Sequence, residues 1–460
     1  MRHLIDSLRS GNWRSLIACF LYFDTGFTVW VMYGPLAPFI GKAVSMSPAD
    51  QGFLVATPVL SAAILRVALG NLFQSMDGKK VALLGMTLSA LPCVILPFLP
   101  QPGYDTLLIL GVFLGVGGAS FAVALPMAGS NYPPKVQGLV LGLAAAGNVG
   151  AVLDGFLFPR LADVFGWQAA CAAALPLLAV AALTMWFWGC DRSLKSGAIK
   201  APLACFAATA LGLIVLVLAV RAGWLFGVKP GILLLPIAGA LYAIALLPAR
   251  YRSVFKERDT WVLMLVYSVT FGGFVGMSSY VSTLLTATYS MSKIEAGGFM
   301  SLLAFTGAMV RPVGGWVADR ITGVKALLFI LFGICLCDAA FSAFDLPRDG
   351  AVALFVVLYL GFGLGNGATF QLVPNRWRAK TGLMTGLIGA AGGIGGFYLP
   401  VIMGLAKEAT GSFRGGFAVL GAIAATALVL VLYLRSNWSV WARPALPDQL
   451  EFSGGAIAEH

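Results

Sequence analysis

SAAILRVALGNLFQSMDGKK (61–80) places an arginine, Arg66, in the middle of a stretch apolar enough to span a membrane. A cation at the bilayer centre costs at least about 2.5 to 3.5 kcal/mol, so it must face a cavity or a partner. The figure returns in AMVRPVGGWVADRITGVK (308–325), where Arg311, Gly315, Gly323 and Lys325 keep the spacing of Arg66, Gly70, Gly78 and Lys80. Two buried arginines at equivalent places suggest one anion held between them. A guanidinium is a rigid planar fork of donors that suits planar oxyanions, nitrate, nitrite and carboxylates alike. The competing reading pairs each arginine with an intramembrane carboxylate, for which Asp24, Asp154 and Asp338 are available.

The surrounding composition agrees with a membrane setting. Of 460 residues 59% are hydrophobic and only 11% charged, which reads as an all-α polytopic membrane protein in contact with lipid. The seven cysteines are odd in number and lack metal-ligand spacing, so neither disulfides, zinc nor any cofactor is expected. A net charge of +11 could mean a nucleic-acid partner in a soluble protein, but here the basic residues are scattered through short loops and read as topology signals. The first apolar stretch is too long for a signal-peptide core and lacks a small-residue cleavage site, so it is expected to be retained.

Windows of about 20 apolar residues predict fourteen spans. Six lie near 15–40, 50–76, 80–99, 104–131, 136–164 and 167–189; two near 201–222 and 230–249; six more near 260–287, 294–318, 324–344, 350–375, 381–408 and 413–435. The expected organisation is a bundle over 1–192, an inserted helix pair over 193–256, a second bundle over 257–436 and a largely disordered tail over 437–460. The loops on the side of both termini carry twenty Lys and Arg and the opposite side eight, which predicts cytoplasmic termini. Further repeats join the halves: GLVLGLAAAGNVG (138–150) answers GLMTGLIGAAGGIGG (382–396), and GGASFAVALP (117–126) answers NGATFQLVPN (366–375). Two halves of like build are the signature of a transporter with its site at their interface.

Glycines at four-residue spacing let helix backbones approach closely. Their density at Gly147 and Gly150, and again at Gly392, Gly393 and Gly395, admits two readings: helix packing, or close approach to a small substrate. Taken together, GGASFAVALPMAGSNYPPKVQGLVLGLAAAGNVG (117–150) and GLMTGLIGAAGGIGGFYLP (382–400) resemble the paired signatures of the nitrate/nitrite porter family of the major facilitator superfamily. The resemblance covers roughly residues 15–189 and 260–435. GGWVADRITG (314–323) also looks like the superfamily's cytoplasmic loop motif, which locks one bundle against the other, while its counterpart GNLFQSMDGKK (70–80) is degenerate.

The resemblance implies a major facilitator fold, two six-helix bundles with pseudo-two-fold symmetry, to which this chain adds the inserted pair. It also implies an anion clamped by Arg66 and Arg311, with Asn148 from the fifth span, and walled by Phe121, Phe370, Tyr267, Phe271 and Tyr33. Each aromatic has the alternative of core packing or lipid contact. FDTGFTVW around Asp24 looks like the proton-driven branch of the family. The only histidines, His3 and His460, lie at the ends, so Asp24 and Asp154 are the main candidates to carry a proton. Their alternative role is a structural hydrogen bond or ion pair.

The expected function is therefore uptake of nitrate, and of nitrite, by a monomer in the cell membrane using protons. Nitrate/nitrite exchange and a nitrate-binding sensor are its rivals. A fourteen-span drug exporter would want central carboxylates without two arginines, and an enzyme would want a nucleophile and base or a metal set, which the sequence does not show.

Overall fold

The computed structural model describes residues 11–133, 137–225, 227–246, 254–377 and 380–442. Parts of the first glycine signature, of the loop near 250 and of the tail lie outside the described residues. Among the described residues the regular elements are helical and no strand occurs. The spans are α1 (Trp13–Ala43), α2 (Pro48–Phe73), α3 (Gly78–Phe98), α4 (Tyr104–Gly129), α6 (Trp167–Trp188), α7 (Lys200–Arg221) and α8 (Val228–Leu246). They continue with α9 (Arg258–Tyr289), α10 (Lys293–Ile321), α11 (Gly323–Ala343), α12 (Arg348–Arg376), α13 (Thr381–Thr410) and α14 (Arg414–Trp441). The fifth, α5, is built of Gln137–Ala145, a 3₁₀ turn Ala146–Val149 and Gly150–Phe165.

Thirteen of the fourteen expected spans are helices long and apolar enough to cross a membrane, the fifth being divided by its 3₁₀ turn, and the last needs a correction at its end. α14 does not stop near 435: it runs to Trp441, because Trp438 is buried and its Nε1 donates to Asp259 at 2.8 Å, anchoring the last turns to the start of α9. The start of the expected tail is thus helix, and residues from 443 onward lie outside the described residues.

With fourteen crossings α1 begins and α14 ends on one face, here the terminal face; the loops after α1, α7 and α13 lie on the opposite, distal face. Among the described residues the halves meet chiefly where α1 packs on α9, α2 on α13 and α5 on α10, with lesser contacts of α2 with α9 and α1 with α10. Small residues make these meetings close. A Cβ on Gly34 of α1 would lie 2.8 Å from Ser279 of α9, and one on Gly404 of α13 would lie 2.5 Å from the Pro48 carbonyl of α2. The α2–α13 seam is antiparallel and descends from the distal face through Val59 beside Gly396 and Ala63 beside Gly393 to Arg66 beside Gly389. The GGWVADRITG segment packs on α11 and α12 of its own half, with Arg320 over the Trp316 ring at 4.0 Å.

The inserted pair lies against the outside of this seam. α7 packs on α2 and α4, and α8 on α2 and α13, while Leu211, Val215 and Leu241 face outward. Its anchors reach both halves: Arg221 approaches Asp105 of α4 at 3.8 Å, Lys229 pairs with Glu408 of α13 at 3.0 Å, and the Tyr398 hydroxyl donates to the Leu233 carbonyl at 2.9 Å.

On the terminal face the loop after α6 is tied to the α2–α3 turn. Asp191 accepts from the Gly78 N–H at 2.8 Å and pairs with Lys195 at 2.6 Å, while Lys195 donates to the Phe73 carbonyl. Burial alone would push the Asp191 carboxyl up, but Lys195, Ser193 and the Gly78 N–H outweigh it and hold the group below its usual 3.8. A depressed carboxylate contributes stability above its unfolded pKa and loses it as pH falls through the folded one. Asp191→Asn should therefore cost about 1 to 2 kcal/mol at neutral pH. Thermal unfolding of the two proteins in detergent should show that gap narrowing as pH falls below about 4.

Candidate functional site

Arg66 sits on an unbroken α2, 3% exposed, where the two halves touch. One terminal nitrogen donates to the Gly118 carbonyl of α4 and the other to the Gly389 carbonyl of α13, each at 2.9 Å. The guanidinium thus bridges the halves, yet its Nε–H is buried without a partner. A guanidinium has five N–H donors, so the two carbonyl bonds leave part of the fork unused. The ring of Phe121 lies 5.1 Å and that of Trp30 6.0 Å from the guanidinium carbon, within cation–π reach.

The second half presents a matching set. Arg311 stands over the Phe271 ring at 5.7 Å. Phe271 stacks on Tyr267, with centroids 5.1 Å apart and planes within 6°, and Phe370 meets Tyr267 edge-on at 4.9 Å. The Tyr267 hydroxyl has Arg311 and Arg66 as its electrostatic neighbours, and the two arginines feel each other. Arg66, Arg311, Phe121, Tyr267, Phe271 and Phe370 are therefore one constellation at the seam. It comprises two cations, with no carboxylate paired with either among the described residues, and the aromatic rings beside them.

Local sequence explains how the site residues are presented. Phe121 follows a one-residue break at Ser120, Asn148 lies in the 3₁₀ turn of α5, and Arg311 opens a new helical segment after Val310. Pro312 accounts for that last break, since it has no N–H to donate and crowds the carbonyl four residues back. Broken helices near mid-membrane are how such proteins bring polar groups to a buried site.

The glycines divide by role. Gly389 lends its carbonyl to Arg66, while a Cβ on Gly392 would lie 2.6 Å from the Tyr267 ring and 2.9 Å from Phe271. Gly393 meets Ala63 of α2 and Gly395 meets Ser268 of α9. Gly147 and Gly150 instead seat α5 on α1, where Cβ atoms would fall 2.9 Å from the Asp24 nitrogen and 2.5 Å from the Thr28 hydroxyl. Each of these close approaches is to another helix.

Beside that α1–α5 contact lies a polar cluster with few internal partners. Asn148 is buried with both amide atoms unpaired, Asp154 is buried with both oxygens unpaired, and the Thr28 hydroxyl and Asp24 Oδ1 are likewise unpaired. Asp24, half-buried, approaches the Gly150 N–H, and Asp154 is its electrostatic neighbour.

Tyr33 is not brought to the arginines. It is buried in the packing of its own half, where its hydroxyl donates to the Leu107 carbonyl at 3.2 Å. Its expected place is taken by Trp30, fixed by an Nε1 bond of 2.9 Å to the Pro58 carbonyl. Sequence reasoning missed Trp30, although the FDTGFTVW figure that contains it was in view.

Such a fold, two like halves meeting at a buried arginine and a second, partly buried one, defines a membrane carrier. The chain belongs to the Major Facilitator Superfamily, whose family model matches residues 17–400. It is 31% identical to the "Probable nitrate/nitrite transporter NarK2" of Mycobacterium tuberculosis (strain ATCC 25618 / H37Rv), over 94% of this chain and 96% of that one. Identity is 28% to the "Probable nitrate transporter NarT" of Staphylococcus epidermidis, over 90% of this chain and 94% of the relative. It is 27% to the "Nitrite extrusion protein" of Bacillus subtilis (strain 168), over 89% and 91%.

Overpacking a tight contact costs about 1 to 3 kcal/mol, so Gly392→Ala should lower the unfolding temperature. Gly386→Ala, on the same helix with nothing within 4 Å of its added Cβ, should be neutral or stabilising. Equal effects of the two changes in a thermal-shift comparison would contradict the crowding at Tyr267.

Proposed function

We propose that this chain is a secondary transporter of nitrate, and of nitrite, that works by alternating access and drives nitrate uptake with protons. The single observation that carries the reading is Arg66: a buried guanidinium spanning both halves, facing Arg311, with an N–H left unpaired. The printed names of the relatives supply the anions. Asn148 lies on the site side of α5 in this reading, and its free amide adds a neutral donor. The excess of Lys and Arg on the terminal face supports an orientation in the cell membrane with both termini in the cytoplasm and the distal face outside.

The mechanism follows from charge. Without an anion Arg66 and Arg311 repel, which opposes closure of the halves around the site. A planar anion between them screens that repulsion and adds charge-assisted hydrogen bonds in bidentate geometry, so occupancy favours the closed state. The aromatic walls exclude water and strengthen those bonds. Moving one such anion into an inside-negative cell costs about 2.3 kcal/mol per 100 mV. Uptake therefore needs accompanying protons or an anion leaving in exchange.

Asp24 and Asp154 fit the proton role. They approach one another across the α1–α5 contact, and neither forms an ion pair among the described residues. Burying two unpaired like charges is costly, and a proton bound to the pair removes the cost. Exchange is the second reading, favoured by the name of the Bacillus subtilis relative.

Arg66→Lys or Arg311→Lys keeps the charge but loses the planar fork. Either should abolish nitrate transport in liposomes while the protein elutes as a folded species, and near-normal transport in either variant would sink the clamp.

Coupling has its own test. Asp24→Asn mimics a permanently protonated side chain, so nitrate exchange should survive while uptake driven by an imposed pH gradient vanishes. Asp154→Asn, closer to Asn148, should affect anion affinity as well. If Asp24→Asn retains pH-driven accumulation, or if the wild type moves nitrate only against internal nitrite, exchange replaces symport.

A further inference from the structure

The third intramembrane carboxylate, Asp338, stands apart from the arginine site. It lines a cavity of about 310 Å³ enclosed by α9, α11, α12, α13 and α14. Asp338 is 4% exposed, and among the described residues it has neither a hydrogen-bond donor nor a cation as partner. α14 presses on it closely, a Cβ on Gly421 falling 3.1 Å from the Asp338 Cβ. The rest of the wall is almost wholly apolar, with Val269, Ile334 and Phe362 inside. On the outer side Leu265, Ile394, Leu420 and Ile423 are only partly buried, so the cavity opens sideways toward the surrounding lipid.

A lone carboxylate in an apolar enclosure is poorly compensated, and what compensates it best is a cation carrying its own apolar body. We propose that this cavity is a binding site for small lipophilic amines, whose ammonium pairs with Asp338 while the hydrocarbon fills the apolar wall. The volume is at the lower end for ligand pockets and suits a compact molecule. The opening toward lipid requires a ligand that partitions into the bilayer, which excludes strongly hydrated cations. Binding here bears on the arginine site because both use α9 and α13. Ser268 and Gly395 line the cavity, while the adjoining Tyr267 and Gly392 meet at the site. A bound amine braces the two helices from behind.

The test uses adamantylamine and its uncharged counterpart adamantanol, titrated calorimetrically into the full-length protein in lipid nanodiscs at neutral pH. The amine should bind saturably and about tenfold or more tighter than the alcohol. Asp338→Asn, which keeps the shape, should remove that preference and leave the alcohol's affinity unchanged. Leu420→Trp, filling the opening, should weaken both ligands while Asp338 is intact, and it guards against misfolding of the first variant. Absence of saturable amine binding, equal affinity for amine and alcohol in the wild type, or undiminished amine preference in Asp338→Asn would each overturn the site.

Discussion

A guanidinium at mid-membrane must be either paired or surrounded by dipoles, and Arg66 is surrounded by dipoles. Its two carbonyl partners, on Gly118 and Gly389, come from opposite halves. Among the described residues no carboxylate neutralises it, so the positive charge is retained while the structure around it is held in place. The cost of that burial is offset by hydrogen bonds to charged donors, which are stronger than neutral ones. Because the partners lie on both sides of the seam, anything that parts the halves at this depth must also release the Gly389 bond. The arginine is thus a joint between the halves that keeps its charge unneutralised.

The glycines and helix breaks around it serve that constraint. α13 carries Gly389, Gly392, Gly393 and Gly396 so that α2 and α9 can both reach its backbone. Interfaces in lipid rely on packing more than on hydrophobic burial, and small residues supply the close approach. At the interruptions at Ser120 and Val310 the backbone N–H groups stay bonded within their own helices, to the Gly117 and Thr306 carbonyls, as a lipid setting requires.

The inserted pair adds a lateral contact the two bundles would otherwise lack. Its polar anchors lie toward the distal face, where α2 and α13 already meet closely, and they tie Asp105 of one half and Glu408 of the other to a single helical hairpin. Exposed ion pairs of this kind are individually weak, so the hairpin steadies the seam without locking it.

The sequence by itself determined the helical spans, their number and the equivalence of the halves, because apolar length and an internal repeat are local signals that need no partner to be read. It also singled out Arg66 and Arg311, since a charge in an apolar stretch is anomalous wherever the helix packs. Only the tertiary structure decided which aromatics gather beside them: Phe121, Trp30, Tyr267, Phe271 and, through Tyr267, Phe370 do, whereas Tyr33 is buried against its own half. An aromatic residue looks the same in sequence whether it walls a site or fills a core, and helix rotation and breaks separate the two. The same holds for the carboxylates. Asp24, Asp154 and Asp338 read alike as intramembrane acids, and the fold places two of them together on the α1–α5 contact and the third alone in a separate cavity.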